Sequence, residues 1–214
     1  MKEHAVSACI VTRGNVDLEP VLASLPKEWE RVVWDNSVEE EDMAVYGRYE
    51  AIYRASAPLI YVQDDDAILQ NPGALVDHWL EAEAIAAGEH VPSPGGFAVV
   101  NMPARFRHEF YVDHSLVGFG AVFPRELPEL AFSRFLSHAT LEAGVFDRTC
   151  DIVFTALTPC VRVDEPYTDR EFASDPDRMW KQPTHFAERL RVLGTVRDVR
   201  DVHENLAPAG GRFA

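Results

Sequence analysis

The sequence is short of basic residues. Its 214 residues include 20 lysines and arginines against 35 aspartates and glutamates, which gives a formal net charge of −15. Proteins that hold a nucleic-acid backbone need a surplus of lysine and arginine, or at least one basic face. The composition therefore argues against a general nucleic-acid binder and leaves open only a local basic groove.

Paired cysteines and long apolar runs are also lacking. Cys9, Cys150 and Cys160 are an odd number without the close spacing of a zinc site, so we interpret them as small core residues. No apolar run reaches the length of a membrane span, and Thr12-Arg13-Gly14 interrupts the first apolar run too early for a signal sequence. We therefore expect a cytoplasmic protein that has no membrane partner.

What is present suits one folding unit. Hydrophobic residues make up 47% of the chain, enough for a sizeable core at this length. The last residues are rich in alanine, proline and glycine, a composition typical of loose tails. We expect a single domain over residues 1–205 and a flexible tail over residues 206–214.

Three consecutive carboxylates are the most informative motif. Asp64, Asp65 and Asp66 follow the apolar run Pro58-Leu59-Ile60-Tyr61-Val62, which predicts a buried strand. Like charges at a strand end repel one another unless a cation neutralises them, and hard divalent cations prefer oxygen ligands. Side chains alternate along an extended segment, so Asp64 and Asp66 are expected to face one way and Asp65 the other. The alternative is a solvated acidic turn or a helix cap.

Apolar periodicity predicts strands and helices in alternation. Strands are expected over residues 5–11, 31–34 and 58–62, with helices over residues 17–25 and 43–55 between them. This alternation is typical of a mainly parallel sheet with helices on its faces, and right-handed crossovers bring the strand ends to one edge. Ligands bind at that carboxyl edge in open α/β sheets.

The first two strand ends carry polar residues. Thr12-Arg13-Gly14 follows the first strand and Asp35-Asn36-Ser37 follows the second. The first segment lacks the glycine pattern of a dinucleotide fold or a P-loop, so metal and side chains must meet any phosphate charge. Farther along, a helix is expected over residues 73–87 and strands over residues 97–100 and 117–123, the last thinned by glycines.

With the acidic triplet third in this strand series, the chain resembles the nucleotide-sugar-dependent glycosyltransferases of the GT-A fold, whose signature is Asp-x-Asp. It is most similar to exostosin-like hexosaminyltransferases and to small glycosyltransferases of actinobacterial phages, over roughly residues 5–190. The resemblance implies a Rossmann-like α/β fold with a mostly parallel central sheet and a smaller antiparallel part on the acceptor side. Residues 1–100 would form the nucleotide-binding half and residues 101–205 the acceptor-binding half.

The resemblance also implies roles at the donor site. The family's nucleobase and ribose positions correspond to Thr12, Arg13, Asp35, Asn36 and Ser37. Arg48 matches a basic residue that contacts the nucleotide, and its alternative interpretation is a surface ion pair with Glu50 or Glu41.

A metal site is implied as well. Asp66 resembles the direct metal ligand, while Asp64 and Asp65 would contact the ribose, the sugar or metal-bound water. The segment from His185 to Arg189 reproduces a His-Phe and arginine spacing of the family. His185 would complete the metal or pyrophosphate site and Arg189 would neutralise the leaving diphosphate, although lone histidines are more often surface or core residues.

The catalytic carboxylate is less sharply indicated. Cys150-Asp151-Ile152 resembles the family's Cys-Glu-Asp-Ile with one acid missing, and Asp147 is a second candidate nearby. Asp151 is equally interpreted as the cap of a helix that includes Ile152.

These residues imply a metal-dependent glycosyltransferase. Mg²⁺ or Mn²⁺ would assist transfer of a sugar from a nucleoside diphosphate donor, with uridine diphosphate as the default. The acceptor would be a virion protein, a glycan or a modified DNA base. The DNA base is the least favoured of the three, because an acidic protein repels the DNA backbone. Rival interpretations are a nucleotidyltransferase, whose glycine-rich basic loop is missing, and a non-catalytic carbohydrate-binding or virion-associated module with the same fold.

Overall fold

The computed structural model describes residues 6–88, 96–106, 111–170 and 182–206, with side chains described as far as residue 201. The predicted tail beyond residue 206 lies outside the described residues. The strands are β1 Val6–Thr12, β2 Glu30–Asp35, β3 Leu59–Asp64, β4 Ala67–Leu69, β5 Ala98–Asn101, β6 Ala121–Pro124, β7 Cys160–Val163 and β8 Tyr167–Asp169. The α-helices are α1 Glu19–Ser24, α2 Gly47–Arg54, α3 Pro72–Gly88, α4 Leu127–Leu136, α5 Val145–Leu157 and α6 His185–Leu206.

Six strands form the central sheet, in the order β2-β1-β3-β6-β5-β7. β1 is parallel to both of its neighbours, and β7 is parallel to β5. β6 alone is reversed, because it runs antiparallel to β3 and to β5. A second, antiparallel sheet pairs β4 with β8. The predicted α/β class, with a mostly parallel central sheet and a smaller antiparallel part, is confirmed.

Helices cover both faces of the central sheet, as the alternating pattern predicts. α2 packs on β1 and β2, whereas α3 packs on β5 and β6. α5 lies between α4 and α6 and contacts both. Among the described helices, none is long and apolar enough to cross a membrane.

Two apolar clusters fill the spaces on either side of the sheet. The larger contains buried residues of α2, α4, α5 and α6, and the smaller is built around Tyr61, Leu75 and Trp79. Consecutive residues of β3 belong to opposite clusters, Ile60 to the larger and Tyr61 to the smaller, as strand alternation requires. The three cysteines are free and at least partly buried, which confirms their interpretation as core residues.

Three predicted elements differ from those observed. The helix expected over residues 43–55 is a 3₁₀ turn, Ala44–Tyr46, followed by α2, because Ala44 has a φ of 48° and breaks the helical backbone before it. The strand expected over residues 117–123 is a 3₁₀ turn, Val117–Phe119, followed by β6, since Gly120 between them has a φ of 108°. α5 begins seven residues before Ile152, at Val145.

Candidate functional site

The ends of β1, β2 and β3 meet at one edge of the central sheet. Thr12 pairs with Asp35 in the β1–β2 ladder, and Val11 pairs with Asp64 in the β1–β3 ladder. Asp64 is the last residue of β3, and the next two aspartates form the turn into β4. The structure therefore brings the three predicted polar segments to a common edge.

Asp65 is buried at this edge and is held by the first loop. The Thr12 hydroxyl donates a hydrogen bond to Oδ2 of Asp65 over 2.9 Å. The same hydroxyl oxygen accepts a hydrogen bond from the backbone N–H of Gly14 over 3.2 Å. Asp64 and Asp65 thus contact different partners, but Asp65 and Asp66 form a turn, so the alternation expected of an extended segment does not apply to them.

The loop after β2 is braced by its own side chains. Oδ1 of Asp35 accepts hydrogen bonds from the backbone N–H and the hydroxyl of Ser37, over 2.9 and 2.7 Å. A Cβ atom at Gly14 would lie 2.1 Å from the Ser37 hydroxyl oxygen, so the first two loops touch. Gly14 also has a φ of 73°, a conformation that favours glycine.

Asn36 has a structural task in the same loop. Its Oδ1 accepts hydrogen bonds from the indole N–H of Trp34 and the backbone N–H of Met43, each over 3.0 Å. Its Nδ2 donates to the carbonyl of Ala44 over 3.0 Å. Among the described residues, the second amide hydrogen of Asn36 has no hydrogen-bond acceptor, and its contact with a nucleotide stays a prediction.

Arg48 lies beneath the acidic triplet and joins two carboxylates. Its Nη2 forms an ion pair with Oδ1 of Asp64, and its Nη1 lies 3.6 Å from Oδ2 of Asp151. The side chain has no exposed surface, and Nε donates to the carbonyl of Val45 over 3.1 Å. Burial opposes the charge, but Asp151 and Asp64 raise the pKa of Arg48 above its ordinary value. A surface ion pair with Glu50 or Glu41 is excluded, and contact with a nucleotide would require this side chain to move.

Asp151 lies in the middle of α5 and is not a helix cap. The hydroxyl of Tyr49 donates a hydrogen bond to its Oδ1 over 2.7 Å. Its side chain is 18% exposed. Burial raises the pKa of Asp151, and the positive charge of Arg48 opposes that rise. Asp151 is therefore an almost buried carboxylate that Tyr49 holds by a hydrogen bond and that Arg48 connects to Asp64 of the triplet.

Asp147 lies one turn earlier on the same helix and has different neighbours. Burial raises the pKa of Asp147, Arg148 lowers it, and Glu41 and Asp42 raise it further. No ion pair of the described residues joins it to Asp64, whereas Arg48 joins Asp151 to Asp64. Asp151, but not Asp147, is therefore linked to the acidic triplet through Arg48.

The predicted metal ligands are dispersed. Asp66 is partly exposed in the turn after β3, and His185 lies at the start of α6. Within the described ranges, no group of three histidine, cysteine, aspartate or glutamate side chains is arranged to hold a metal ion. Burial, Arg189 and Arg148 lower the pKa of His185, so its imidazole is neutral at pH 7. Ligation by Asp64, Asp66 and His185 stays a prediction.

Arg189 approaches Asp151 from α6. Burial lowers its pKa, while Tyr111 and Asp151 raise it. Its Nη2 lies 3.4 Å from Nε2 of His114. The predicted diphosphate-neutralising arginine is thus on the same side of the molecule as Asp151.

The turn Val117–Phe119 lies against the triplet. A Cβ atom at Gly118 would lie 2.0 Å from Oδ2 of Asp64, so this backbone touches the carboxylate. The next residue, Phe119, belongs to a half-buried aromatic group with Phe106 and Tyr167, at ring separations of 5.1 and 4.9 Å. Arg105 covers the Phe106 ring at 4.8 Å. An aromatic surface therefore adjoins the acidic edge.

Sequence reasoning missed Tyr49 and the contact made by Gly118. A tyrosine on the apolar face of a helix looks like a core residue, and nothing in its spacing indicates a bond to residue 151. The glycines of residues 118–120 did indicate close approach of a ligand or backbone, but not the carboxylate that is approached.

Comparisons with known proteins found similar solved structures but no similar sequence. No protein-family model matches the chain, and no curated protein sequence matches it. The chain is similar to glucosyl-3-phosphoglycerate synthase from Mycobacterium tuberculosis, crystallised with Mg²⁺ and uridine diphosphate, at 15% identity and a TM-score of 0.48. That match covers 90% of this chain and 80% of the other.

Two further solved structures are similar. The same synthase with Mn²⁺, uridine diphosphate and phosphoglyceric acid gives 14% identity and a TM-score of 0.49, with 91% of this chain and 79% of that chain covered. TarS from S. aureus gives 12% identity and a TM-score of 0.48. The TarS match covers 97% of this chain and 44% of TarS, so this chain spans less than half the length of TarS.

Proposed function

We propose that the protein is a metal-dependent glycosyltransferase that moves a sugar from a nucleoside diphosphate donor, of the uridine type, to an acceptor hydroxyl. The observation that carries the proposal is the double pairing of Arg48, which joins Asp64 of the acidic triplet to Asp151. Sugar transfer needs carboxylates near the diphosphate and a further carboxylate near the reacting atoms. The arrangement of these three side chains meets both needs in one place.

The donor would lie along the edge formed by the first three strands. We assign the nucleobase and ribose to Thr12, Arg13, Asp35, Asn36 and Ser37. The loops that carry them touch each other, and Thr12 is bonded directly to the triplet through Asp65. We assign Arg48 to holding Asp64 and Asp151 in place, because its side chain is buried.

The residues of the triplet fit Mg²⁺ or Mn²⁺. They offer oxygen donors only, and Asp66 is partly exposed in its turn. Mg²⁺ is commonly held by one or two carboxylates together with substrate phosphates, so a cluster of three protein ligands is not required. Asp66 would hold the ion together with the diphosphate of the donor, and either Asp64 or His185 would be the second protein ligand. When bound, the ion would neutralise charge on the leaving diphosphate.

Asp151 would act on the reacting atoms. In an inverting course it takes the acceptor proton while the acceptor oxygen bonds to the anomeric carbon, and the broken bond's electron pair leaves with the diphosphate. In a retaining course the same carboxylate stabilises or attacks the positively charged sugar carbon. Asp147 is the second candidate for this role, and Arg189 would neutralise the leaving group.

We propose a glycan as acceptor, ahead of a virion protein or a modified DNA base. The aromatic group of Phe106, Phe119 and Tyr167 beside the triplet supports this choice, because aromatic rings offer flat apolar surfaces to sugar rings. The net charge of −15 disfavours DNA. A hexosaminyl donor, a phage origin and a cytoplasmic location follow only from the sequence and its family resemblance.

A thermal-shift matrix tests donor binding. Uridine, guanosine and adenosine diphosphates, UDP-glucose and UDP-N-acetylglucosamine are each added with and without Mn²⁺. We expect an Mn²⁺-dependent rise in Tm for one base only, because a ligand that binds the native state stabilises it. Asp66→Asn removes the rise, whereas Asp77→Asn, an exposed change on α3, retains it. An equal rise in the Asp66 variant would remove the metal assignment.

Turnover separates the enzyme from the alternative, a binding module of the same fold. Hydrolysis of UDP-glucose with Mn²⁺, in which water takes the sugar and uridine diphosphate is released, is measured for the wild type, Asp151→Asn and Asp147→Asn. The proposal expects release that falls at least about a hundredfold in the Asp151 variant. Binding without release by the wild type, for every donor tried, would favour the binding module.

A further inference from the structure

Tyr49 contacts the carboxylate that the proposed function places at the reaction. Its hydroxyl donates to Oδ1 of Asp151 over 2.7 Å, across 102 positions of the sequence. Tyr49 is only 3% exposed, so it does not touch a substrate itself. Any effect of this hydroxyl on the reaction must therefore pass through Asp151.

The two oxygens of Asp151 have different surroundings. Oδ1 is bonded to Tyr49, whereas Oδ2 lies 3.6 Å from Nη1 of Arg48, which is longer than a hydrogen bond. Nη1 of Arg48 is buried and has no hydrogen-bond partner among the described residues. Oδ2 is therefore the oxygen that keeps its capacity for a further proton or contact.

The ring of Tyr49 is fixed by its packing. Phe132 contacts it edge-on at 4.9 Å between ring centroids, and Phe154 lies at 5.7 Å. Burial and the charge of Asp151 hold the pKa of Tyr49 well above its ordinary value, so the hydroxyl keeps its proton. The hydroxyl of Tyr49 is thus a protonated donor on a ring that packs between two aromatic side chains.

We propose that Tyr49 is a positioning residue for Asp151. Its hydroxyl occupies Oδ1 and so leaves Oδ2, on the side of Arg48, as the oxygen that acts on the reacting atoms. The proposal rests on the proposed function and deepens it, because it states which oxygen of Asp151 acts. Arg48 precedes Tyr49 on α2, so one helix fixes Asp151 relative to the acidic triplet.

The test compares Tyr49→Phe with Tyr46→Phe. Both changes remove one hydroxyl and keep a ring in the same aromatic cluster, where the two rings lie 6.0 Å apart. kcat and KM are measured for Mn²⁺-dependent release of uridine diphosphate from UDP-glucose, together with the nucleotide-induced rise in Tm. We expect Tyr49→Phe to lower kcat about tenfold, because a misdirected carboxylate reacts slowly. KM and the Tm rise stay unchanged, and Tyr46→Phe resembles the wild type.

A double variant shows whether Tyr49 acts through Asp151. Tyr49→Phe combined with Asp151→Asn is expected to be no slower than Asp151→Asn alone, because the hydroxyl then has no carboxylate to direct. An unchanged kcat in Tyr49→Phe, or additive losses in the double variant, would overturn the positioning role while the glycosyltransferase stands. A wild type that releases no diphosphate from any donor would overturn both.

Discussion

Gly118 shows how little room the acidic edge has. A Cβ atom there would lie 2.0 Å from Oδ2 of Asp64, far inside van der Waals contact. We expect Gly118→Ala to displace Asp64 from Arg48, to remove the nucleotide-induced rise in Tm and to lower turnover about tenfold or more. Thermal shift and diphosphate release measure the two effects.

The control for this change is Gly88→Ala, at the end of α3. An added Cβ atom there meets no atom of the described residues within 4 Å. It should leave nucleotide binding and turnover as they are. Normal nucleotide binding in the Gly118 variant would mean that the carboxylate of Asp64 can move without weakening the binding of the nucleotide.

His114 makes the fold sensitive to acid. Burial lowers its pKa to about 3, and Arg189, Arg162 and Arg197 add to the effect while Asp113 opposes it. The unfolded chain takes up this proton near pH 6.5, so the free energy of unfolding falls as the pH decreases from about 6.5 toward 3. Between pH 7 and pH 5 this histidine alone accounts for a loss of about 2 kcal/mol.

Urea unfolding at pH 7 and pH 5 measures this loss. His114→Gln should lose about 2 kcal/mol less than the wild type between the two pH values, whatever its stability at pH 7. The exposed His138→Gln serves as the control and should follow the wild type. Equal losses in the wild type and in His114→Gln would show that His114 is charged in the folded protein.

Single residues differed in how well the sequence predicted them. The acidic triplet was found because charge after an apolar run is unusual, and the structure places it at the expected edge. The burial of Arg48 was not predictable, since arginine is seldom buried and its partner Asp151 is 103 positions away. Tyr49 gave no signal, because its hydroxyl contacts Asp151 across 102 positions of the sequence.

At the scale of elements, α6 carries a glycine where alanine would suit it better. Gly194 lies inside the helix, and within the part of the chain that the structure describes an added Cβ atom would meet no atom outside the helix backbone within 4 Å. Gly194→Ala is therefore expected to raise the free energy of unfolding by about 1 kcal/mol, because alanine favours the helical backbone. Urea denaturation at pH 7 measures the change.

Gly144→Ala provides the opposite case. Gly144 precedes α5 with a φ of 72°, a conformation that disfavours residues with a Cβ atom. This change should lower the free energy of unfolding by about 1 kcal/mol. A stabilised Gly144 variant would contradict the left-handed backbone at that position.

Strands and helices were predicted well where apolar residues repeat, as in β1, β2 and β3. The failures occurred where single backbone angles decide, at Ala44 before α2 and at Gly120 before β6. β8 was missed because three residues carry too little periodicity to separate a strand from a loop. Local pattern thus predicted the scaffold, and long-range contacts decided the site.

At the scale of the whole molecule, one sheet runs through both expected halves. β6, from the second half, pairs directly with β3, from the first. Residues 1–101 expressed alone are therefore expected to aggregate, because β3 would present an unpaired apolar edge. Size exclusion and circular dichroism of this fragment, with and without co-expressed residues 102–206, test the expectation. A folded monomeric fragment would show that the first half is a separate domain.

The reversed strand also sets an order of events during synthesis. Ile60 must wait for Phe123, its partner in the β3–β6 ladder, to leave the ribosome. At about 5–20 residues per second, the 63 steps from residue 60 to residue 123 take about 3–13 s. Throughout that interval β3 lacks its partner strand, so we expect the nascent chain to bind chaperones that hold extended apolar segments.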